Sequence, residues 1–395
     1  MREGGTILRW LASVCLALCG TALAQETTLG PRLVQEEVRI SAAGGYSIAA
    51  TILRPEGQGP FGAIILNHGT PGSASGRARE STELLINSAA VFARRGYVVV
   101  MPLRRGFGAT GGDFAEDPGS CASPDYRKGE QAAADDVMAA YDYARALPYV
   151  NAKRMILAGQ SAGGMVSMVA AGTRNPQGLV AVLSFAAGRG GNPDFRPGVP
   201  CAVEPVAKLL DSVGKGVKAP VLLHYAENDL YFNAATSRLW YERFAAAGAR
   251  AEYVLQPAFG RDGHYIFSET LGVRYWLPAV EQFLAKHGVP FERLDAERPV
   301  VALERVPHVQ SDGCKGLYRA FLESPGPRAY AVSGDGRCGF AGGSADATEA
   351  AVRECSSNAR ETCVLYAVDD QVVWSEKGSD PYFSKASARS NSGFK

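Results

Sequence analysis

Gly159-Gln160-Ser161-Ala162-Gly163 follows the apolar run Arg154-Met155-Ile156-Leu157-Ala158. It precedes a helix-like segment opening with Met165-Val166-Ser167-Met168-Val169. A G-x-S-x-G between a strand and a helix is a turn so tight that only small flanking residues avoid clashes. The turn forces the serine out of the sheet and points the N-terminal dipole of the following helix at whatever reacts there. Five residues of this kind also occur by chance, so the weight of the reading falls on their surroundings.

The 395-residue chain exceeds the usual size of one domain and predicts a large domain with a smaller companion. Apolar residues at 46% can fill a real core, and 21% charged residues is ordinary for a folded protein. The net charge of +1 gives no reason to expect a nucleic-acid or anionic-membrane partner. At the N-terminus, Arg2 and Arg9 precede a short apolar run from Trp10 to Cys19, and Ala22-Leu23-Ala24 forms an A-x-A cleavage site. Residues 1–24 therefore read as a signal peptide, and the mature protein as exported, periplasmic or secreted, with no transmembrane anchor. Cleavage would leave six cysteines, an even number that favours disulfides in an exported chain. No C-x-x-C pair and only five histidines are present, so no metal site is expected.

Between about residues 33 and 288 strand-like and helix-like stretches alternate. Val38 to Ile40 and Tyr46 to Leu53 predict an opening hairpin joined through Gly44-Gly45. Ala63 to Leu66, Tyr97 to Val100, Leu179 to Phe185 and Pro220 to Tyr225 are continuous apolar runs suited to buried parallel strands. Glu130 to Leu147 places Ala134, Val137, Met138 and Tyr141 on one helical face. The expected fold is α/β, a mostly parallel sheet with helices on both faces, over residues 25–294. Within it, the stretch 187–218, rich in Gly and Pro and with a short helix-like piece around Val206 to Val213, is expected as a short lid. Residues 295–312 read as a linker. Residues 313–380 read as a small Cys-rich α+β domain, with a helix capped by Ser344 running through Cys355 and a hairpin across Asp369-Asp370. Residues 381–395 read as a disordered tail.

A serine hydroxyl needs a base to take its proton, and the base needs a third group to orient it. Behind a strand-to-helix serine the chain order is serine, acid, histidine. His68 precedes the serine, His224 lies inside a strand, His287 ends a helix and His308 is in the linker. That leaves His264, in the loop Gly260-Arg261-Asp262-Gly263-His264. For the acid, Asp229 lies a reverse turn beyond the strand ending at Tyr225, where parallel sheets place functional groups; Glu227 and Asp262 are its rivals. An oxyanion would need N–H donors from Ala162, after the serine, and from Thr70 in Asn67-His68-Gly69-Thr70, with His68 bonding loop carbonyls. Phe107, Tyr231 and Tyr265, with Phe195 and Phe232 near them, are candidates for the substrate pocket. Gly106-x-Gly108-x-x-Gly111 fits a dinucleotide fingerprint, but its context continues as loop where a helix would have to open.

Together these residues resemble the α/β-hydrolase superfamily, and the resemblance spans about residues 50–288. Arg105-Gly106-Phe107-Gly108 and the approach Leu147 to Gly164 are similar to segments of the dienelactone-hydrolase and prolyl-oligopeptidase-like branch. Ser161 departs from dienelactone hydrolase itself, whose nucleophile is cysteine. The family's strand order would bring the loops carrying Cys121 and Cys201 together at one sheet edge, so a Cys121–Cys201 disulfide is expected to strap the lid. The C-terminal region resembles small domains of secreted bacterial proteins. The resemblance implies a serine hydrolase without cofactor, acting on a small-molecule or peptide acyl substrate. A carboxylesterase is favoured, with a serine peptidase or a non-catalytic binding protein on the same fold as alternatives.

Overall fold

The computed structural model describes residues 33–294, 311–324, 326–343, 346–357, 359–369 and 371–374. The stretches expected as a signal peptide (1–24) and a tail (381–395), most of the expected linker (295–310, with His308), and Ser344 lie outside the described residues. In chain order the first unit comprises β1 (Leu33–Ser41), β2 (Ser47–Pro55), β3 (Phe61–Asn67), α1 (Ala74–Ala78), α2 (Glu83–Ala93), β4 (Tyr97–Pro102) and α3 (Tyr126–Ala146). It continues with β5 (Val150–Gln160), α4 (Ala162–Arg174), β6 (Leu179–Phe185), α5 (Val203–Gly214), β7 (Val221–Ala226), α6 (Ala234–Ala246), β8 (Ala251–Gln256) and α7 (Val273–Lys286).

These strands form one sheet in the order β1-β2-β4-β3-β5-β6-β7-β8. β1 and β2 pair antiparallel as an opening hairpin, and β2 pairs antiparallel with β4. From β4 onward every pairing is parallel. The apolar runs are continuous because both faces are covered. Ala63, Ile65, Val98, Val100, Met155 and Leu157 pack beneath α3, α4, α5 and α6. Their neighbours Ile64, Leu66, Val99, Ile156 and Ala158 face α2 and α7 on the other side. Trp240 fills the first layer and Trp276 the second, each fully buried.

Residues 187–202 run past the carboxyl ends of the strands. Val203–Gly214, within the stretch expected as a lid, is α5, and it buries Val206, Leu209, Leu210 and Val213 in the first core layer. No helix opens at Gly111; residues 108–110 make a single 3-10 turn, and α3 begins at Tyr126.

The C-terminal unit contains α8 (Asp312–Glu323), β9 (Arg328–Ser333), β10 (Cys338–Gly342), α9 (Ala347–Ser356), β11 (Cys363–Val368) and β12 (Gln371–Val372). Its antiparallel sheet has the order β10-β9-β11-β12. Tyr318 and Phe321 of α8 cover one face, and Ala347, Ala351 and Cys355 of α9 cover the other. Disulfides Cys314–Cys338 and Cys355–Cys363 tie each helix to the sheet side of its layer. α8 had no counterpart in the sequence reading. Gly313 and Gly316 weaken its propensity, yet Ser311 caps it by accepting from the Cys314 N–H (3.2 Å), and its apolar stripe is buried. Asp346 occupies the N-cap position of α9.

Candidate active site

Ser161 sits between β5 and α4 with φ 58° and ψ −125°, a backbone conformation that disfavours any residue with a Cβ. Its strain, of order 1–3 kcal/mol, persists because the turn is held from both sides. The Ser161 N–H donates to the Phe185 carbonyl at 2.9 Å, and the Ser161 carbonyl accepts from Met165 at 3.1 Å and from Gly188 at 3.4 Å. The flanking glycines are steric requirements. A Cβ on Gly163 would lie 2.0 Å from the Asn67 carbonyl oxygen, and one on Gly159 would lie 2.4 Å from Gly163. Asn67 holds the crossing by donating to the Ala158 carbonyl (3.1 Å) and to Ser167 Oγ (2.9 Å).

Asp229 lies in the turn after β7 and is buried. Its Oδ1 accepts from the N–H groups of Tyr231 (2.8 Å) and Phe232 (2.9 Å), which fixes the carboxylate. His264, in a 3-10 turn after β8, brings Nδ1 within 3.0 Å of Asp229 Oδ2 and 3.1 Å of Oδ1. That contact assigns the neutral ring's proton to Nδ1 and leaves Nε2 as the basic nitrogen. The rival Asp262 does not meet the ring. It accepts instead from the backbone N–H groups of His264 (2.9 Å) and Leu230 (3.0 Å), pinning the two loops together. Tyr231 stacks on the imidazole with ring centroids 4.0 Å apart, and its hydroxyl lies 3.2 Å from that of Tyr265. Gln160, the variable residue before the serine, is buried and donates to the His264 carbonyl at 2.6 Å. Sequence reasoning missed this link because the pattern treats that position as arbitrary.

The loop after β3 passes beside the serine; a Cβ on Gly69 would lie 3.3 Å from Ser161 Cβ. His68 is buried, and burial, reinforced by Arg104, lowers its pKa to about 3, so the ring is neutral. Nε2 accepts from the Arg104 N–H at 3.1 Å, so Nδ1 carries the proton and donates to the Gly69 carbonyl at 2.6 Å. Arg104 also donates to the carbonyls of His68 (2.9 Å) and Gly69 (3.4 Å). With the Gly69 carbonyl held, the planar trans peptide directs the Thr70 N–H the opposite way. Neither that N–H nor the one on Ala162 has a hydrogen-bond acceptor among the described residues.

Ser161, Ala162 and Thr70 line one cavity of about 310 Å³, together with Tyr231, Phe232 and Arg189. Tyr265 reaches it only through Tyr231. Phe107 does not line it: the ring is fully buried, edge-on to His68 at 4.5 Å and to Phe114 at 5.6 Å, because it anchors the Arg104 loop from beneath. Phe195 is 82% exposed. The Cys121–Cys201 disulfide joins the loop after β4 to the loop after β6 beside this cavity, and the Cys201 N–H donates to the Gly190 carbonyl at 2.9 Å. Behind the wall lies an ionic cluster that the sequence did not announce. Arg104 meets Glu116 at 2.5 Å, Arg189 meets Glu116 at 2.8 Å, and Arg189 also pairs with Glu130. Its members are scattered over residues 104–189, in loops and on α3, so no periodicity could connect them. Among the described residues, no group of three or more His, Cys, Asp or Glu side chains is placed to hold a metal, and no helix is long and apolar enough to cross a membrane.

Residues 85–185 match the family model of the prolyl oligopeptidase family. The match covers about a quarter of the chain, from α2 to the end of β6, and it includes Ser161. Comparison with curated proteins finds no match. Among solved structures it is similar to an acetyl xylan esterase from a Paenibacillus species, at 17% identity over 64% of this chain and 84% of that one (TM-score 0.46). It is also similar to a hyperthermophilic esterase from the archaeon Pyrobaculum calidifontis, at 18% identity over 64% and 85% (TM-score 0.44). A third is an acylaminoacyl peptidase, at 16% identity over 68% of this chain and 44% of the other (TM-score 0.45).

Proposed function

We propose that the protein is an exported serine hydrolase that cleaves carboxylic esters through an acyl-enzyme. The observation that carries this reading is the Asp229–His264 pair, at 3.0 Å, on the loops that follow β7 and β8 beyond the elbow bearing Ser161. Ser161 Oγ attacks the substrate carbonyl while His264 Nε2 takes its proton, and Asp229 stabilises the resulting imidazolium. The N–H groups of Thr70 and Ala162 receive the oxyanion, each contributing about 2.7–4 kcal/mol to the transition state. Collapse expels the alkoxide, which takes the proton from His264. Water then repeats the sequence and releases the acid. The cavity of about 310 Å³ suits a small acyl or alcohol group. Export is supported by the three disulfides, which persist in oxidising compartments, and by the signal-like residues 1–24.

A serine peptidase is the second reading, favoured by the family match over residues 85–185. Assaying nitrophenyl esters of short and long acids beside aminoacyl amides separates the two. Ester turnover that falls by three orders of magnitude or more (~10³) in Ser161→Ala supports the esterase. Preferential amide cleavage supports the peptidase, and equal activity in wild type and variant removes both.

A further inference from the structure

The loop after β6 carries Arg189, which takes no part in the serine, histidine and aspartate chemistry yet lines the same cavity. Gly188, the residue before it, donates to the Ser161 carbonyl, so the loop is anchored to the elbow itself. The guanidinium is 92% buried, and it spends its donors on three different chain segments. Nε pairs with Glu130 of α3, Nη2 donates to Glu116 of the loop after β4 at 2.8 Å, and Nη1 donates to Thr70 Oγ1 at 3.2 Å. Thr70 Oγ1 in turn donates to Glu116 Oε2 at 3.4 Å. The hydroxyl is thereby wedged between the two members of a buried ion pair.

We propose that Arg189, held by Glu116 and Glu130, is a positioning residue that fixes the Thr70 N–H for the oxyanion. This rests on the serine-hydrolase reading above. Two constraints are needed to aim that N–H. His68 and Arg104 fix the peptide from its Gly69 carbonyl side, and Arg189 fixes the Thr70 side chain beyond it. One constraint alone leaves the loop free to pivot about the other. A donor that strays by an ångström loses most of its effect on a developing charge, whereas ground-state binding in the cavity is little altered. The electrostatics sustain the arrangement. Burial pushes Glu116 up, but Arg104 and Arg189 outweigh it and hold the carboxyl at about 2, so its charge persists throughout the working range. Burial leaves Glu130 raised despite Arg189, so Glu130 is the carboxyl that yields its charge first while Glu116 continues to hold the guanidinium.

The test is steady-state kinetics of the full enzyme on nitrophenyl acetate. The variants are Thr70→Val, which keeps the N–H and removes the hydroxyl, Arg189→Gln with Glu130→Gln, and all three changes together. The second variant removes the cation and one anion together, so no new buried charge is left alone. The expected result is a drop in kcat of about tenfold or more with KM changed less than threefold, and a parallel loss of affinity for a trifluoromethyl ketone that forms the charged tetrahedral adduct. The combined variant should lose no more than the worse of its parts. Full kcat in either folded variant, a loss confined to KM, or losses that multiply in the combined variant would overturn the proposal. Failure of the underlying reading has a separate signature, namely wild-type turnover in Ser161→Ala.

Discussion

His224 shows how a single side chain can set the acid limit of the molecule. It lies in the middle of β7, fully buried beside Phe185 at 5.6 Å, and neither ring nitrogen has a hydrogen-bond partner among the described residues. Burial lowers its pKa to about 3. The folded state keeps the ring neutral, while the unfolded chain takes up a proton near pH 6.5, so stability falls as the pH drops from about 6.5 toward 3. His68 acts in the same sense and over the same range. His224→Leu removes one of these contributions and an unsatisfied buried polar group. It should raise the melting temperature at pH 5 more than at pH 8, and thermal melts across that range measure the difference. The candidate residues singled out in the sequence were reached by local pattern. Ser161 and Asp229 each follow an apolar run that reads as a strand, whereas His264 was reached by chain order and its flanking glycines, because β8 before it carries no buried apolar run. Gln160, Arg189, Glu116 and Glu130 act through partners far away in the chain, and nothing in their local composition distinguishes them from solvated polar residues.

At the scale of elements, the strands could be read because burial on both faces erases the polar alternation of a half-exposed sheet, and the helices because their stripes repeat. The reading weakened wherever local propensity and tertiary packing pull apart. α8 is the clearest case, since its two glycines argue against the helix that capping and burial produce. α5 differs in placement rather than in kind: the helix-like piece around Val206 to Val213 is a helix, but it is seated in the core. The strap at Cys121–Cys201 belongs to this scale. It closes a loop with a sequence separation of 80 residues, which in the chain-entropy view stabilises by about 4 kcal/mol. It also joins two walls of the cavity. Replacing both cysteines with serine should lower the melting temperature and raise KM, leaving the Ser161-dependent chemistry in place. Calorimetry and kinetics under identical buffer conditions distinguish this from a purely global effect, in which KM stays constant at temperatures well below the transition.

On the scale of the whole molecule, the contacts that join the two units among the described residues are made largely by arginines. Arg94 donates to the carbonyls of Glu323 and of Ser324 (2.7 and 2.5 Å in the order Ser324, Glu323), at the end of α8. Arg95 binds the Glu323 carboxylate at 2.8 and 3.1 Å, and Arg293 reaches it at 3.0 Å. Burial pushes Glu323 up, but Arg95 and Arg293 overcome it and hold the carboxyl at about 2. Its contribution is therefore complete above the usual carboxylate range and disappears only as the pH falls through about 2. Glu323→Gln removes the buried carboxylate at this junction while Arg95 keeps its bridge to Glu281 at 3.0 Å, so the cost should fall below the ~3–5 kcal/mol usual for breaking a buried pair outright. A calorimetric scan should then show the smaller unit melting at a lower temperature than in the wild type, and a profile identical to wild type would contradict it.

The Arg94 contact also bears on where this chain can be cut. The last carbonyls of a helix need donors from outside it, and α8 obtains two of them from a residue that precedes it by more than two hundred positions. Division at the linker would take the Arg94 donors from the Glu323 and Ser324 carbonyls, leaving Arg328 to bond Ser324 from within the small unit, and would strip Arg94 and Arg95 of their partners on α8. Residues 295–312 were expected as a linker, but hydrogen bonds join the described segments on either side of it. For anyone trimming the protein after residue 294, the shorter chain should be the less stable one, because Arg94 and Arg95 lose their buried partners on α8.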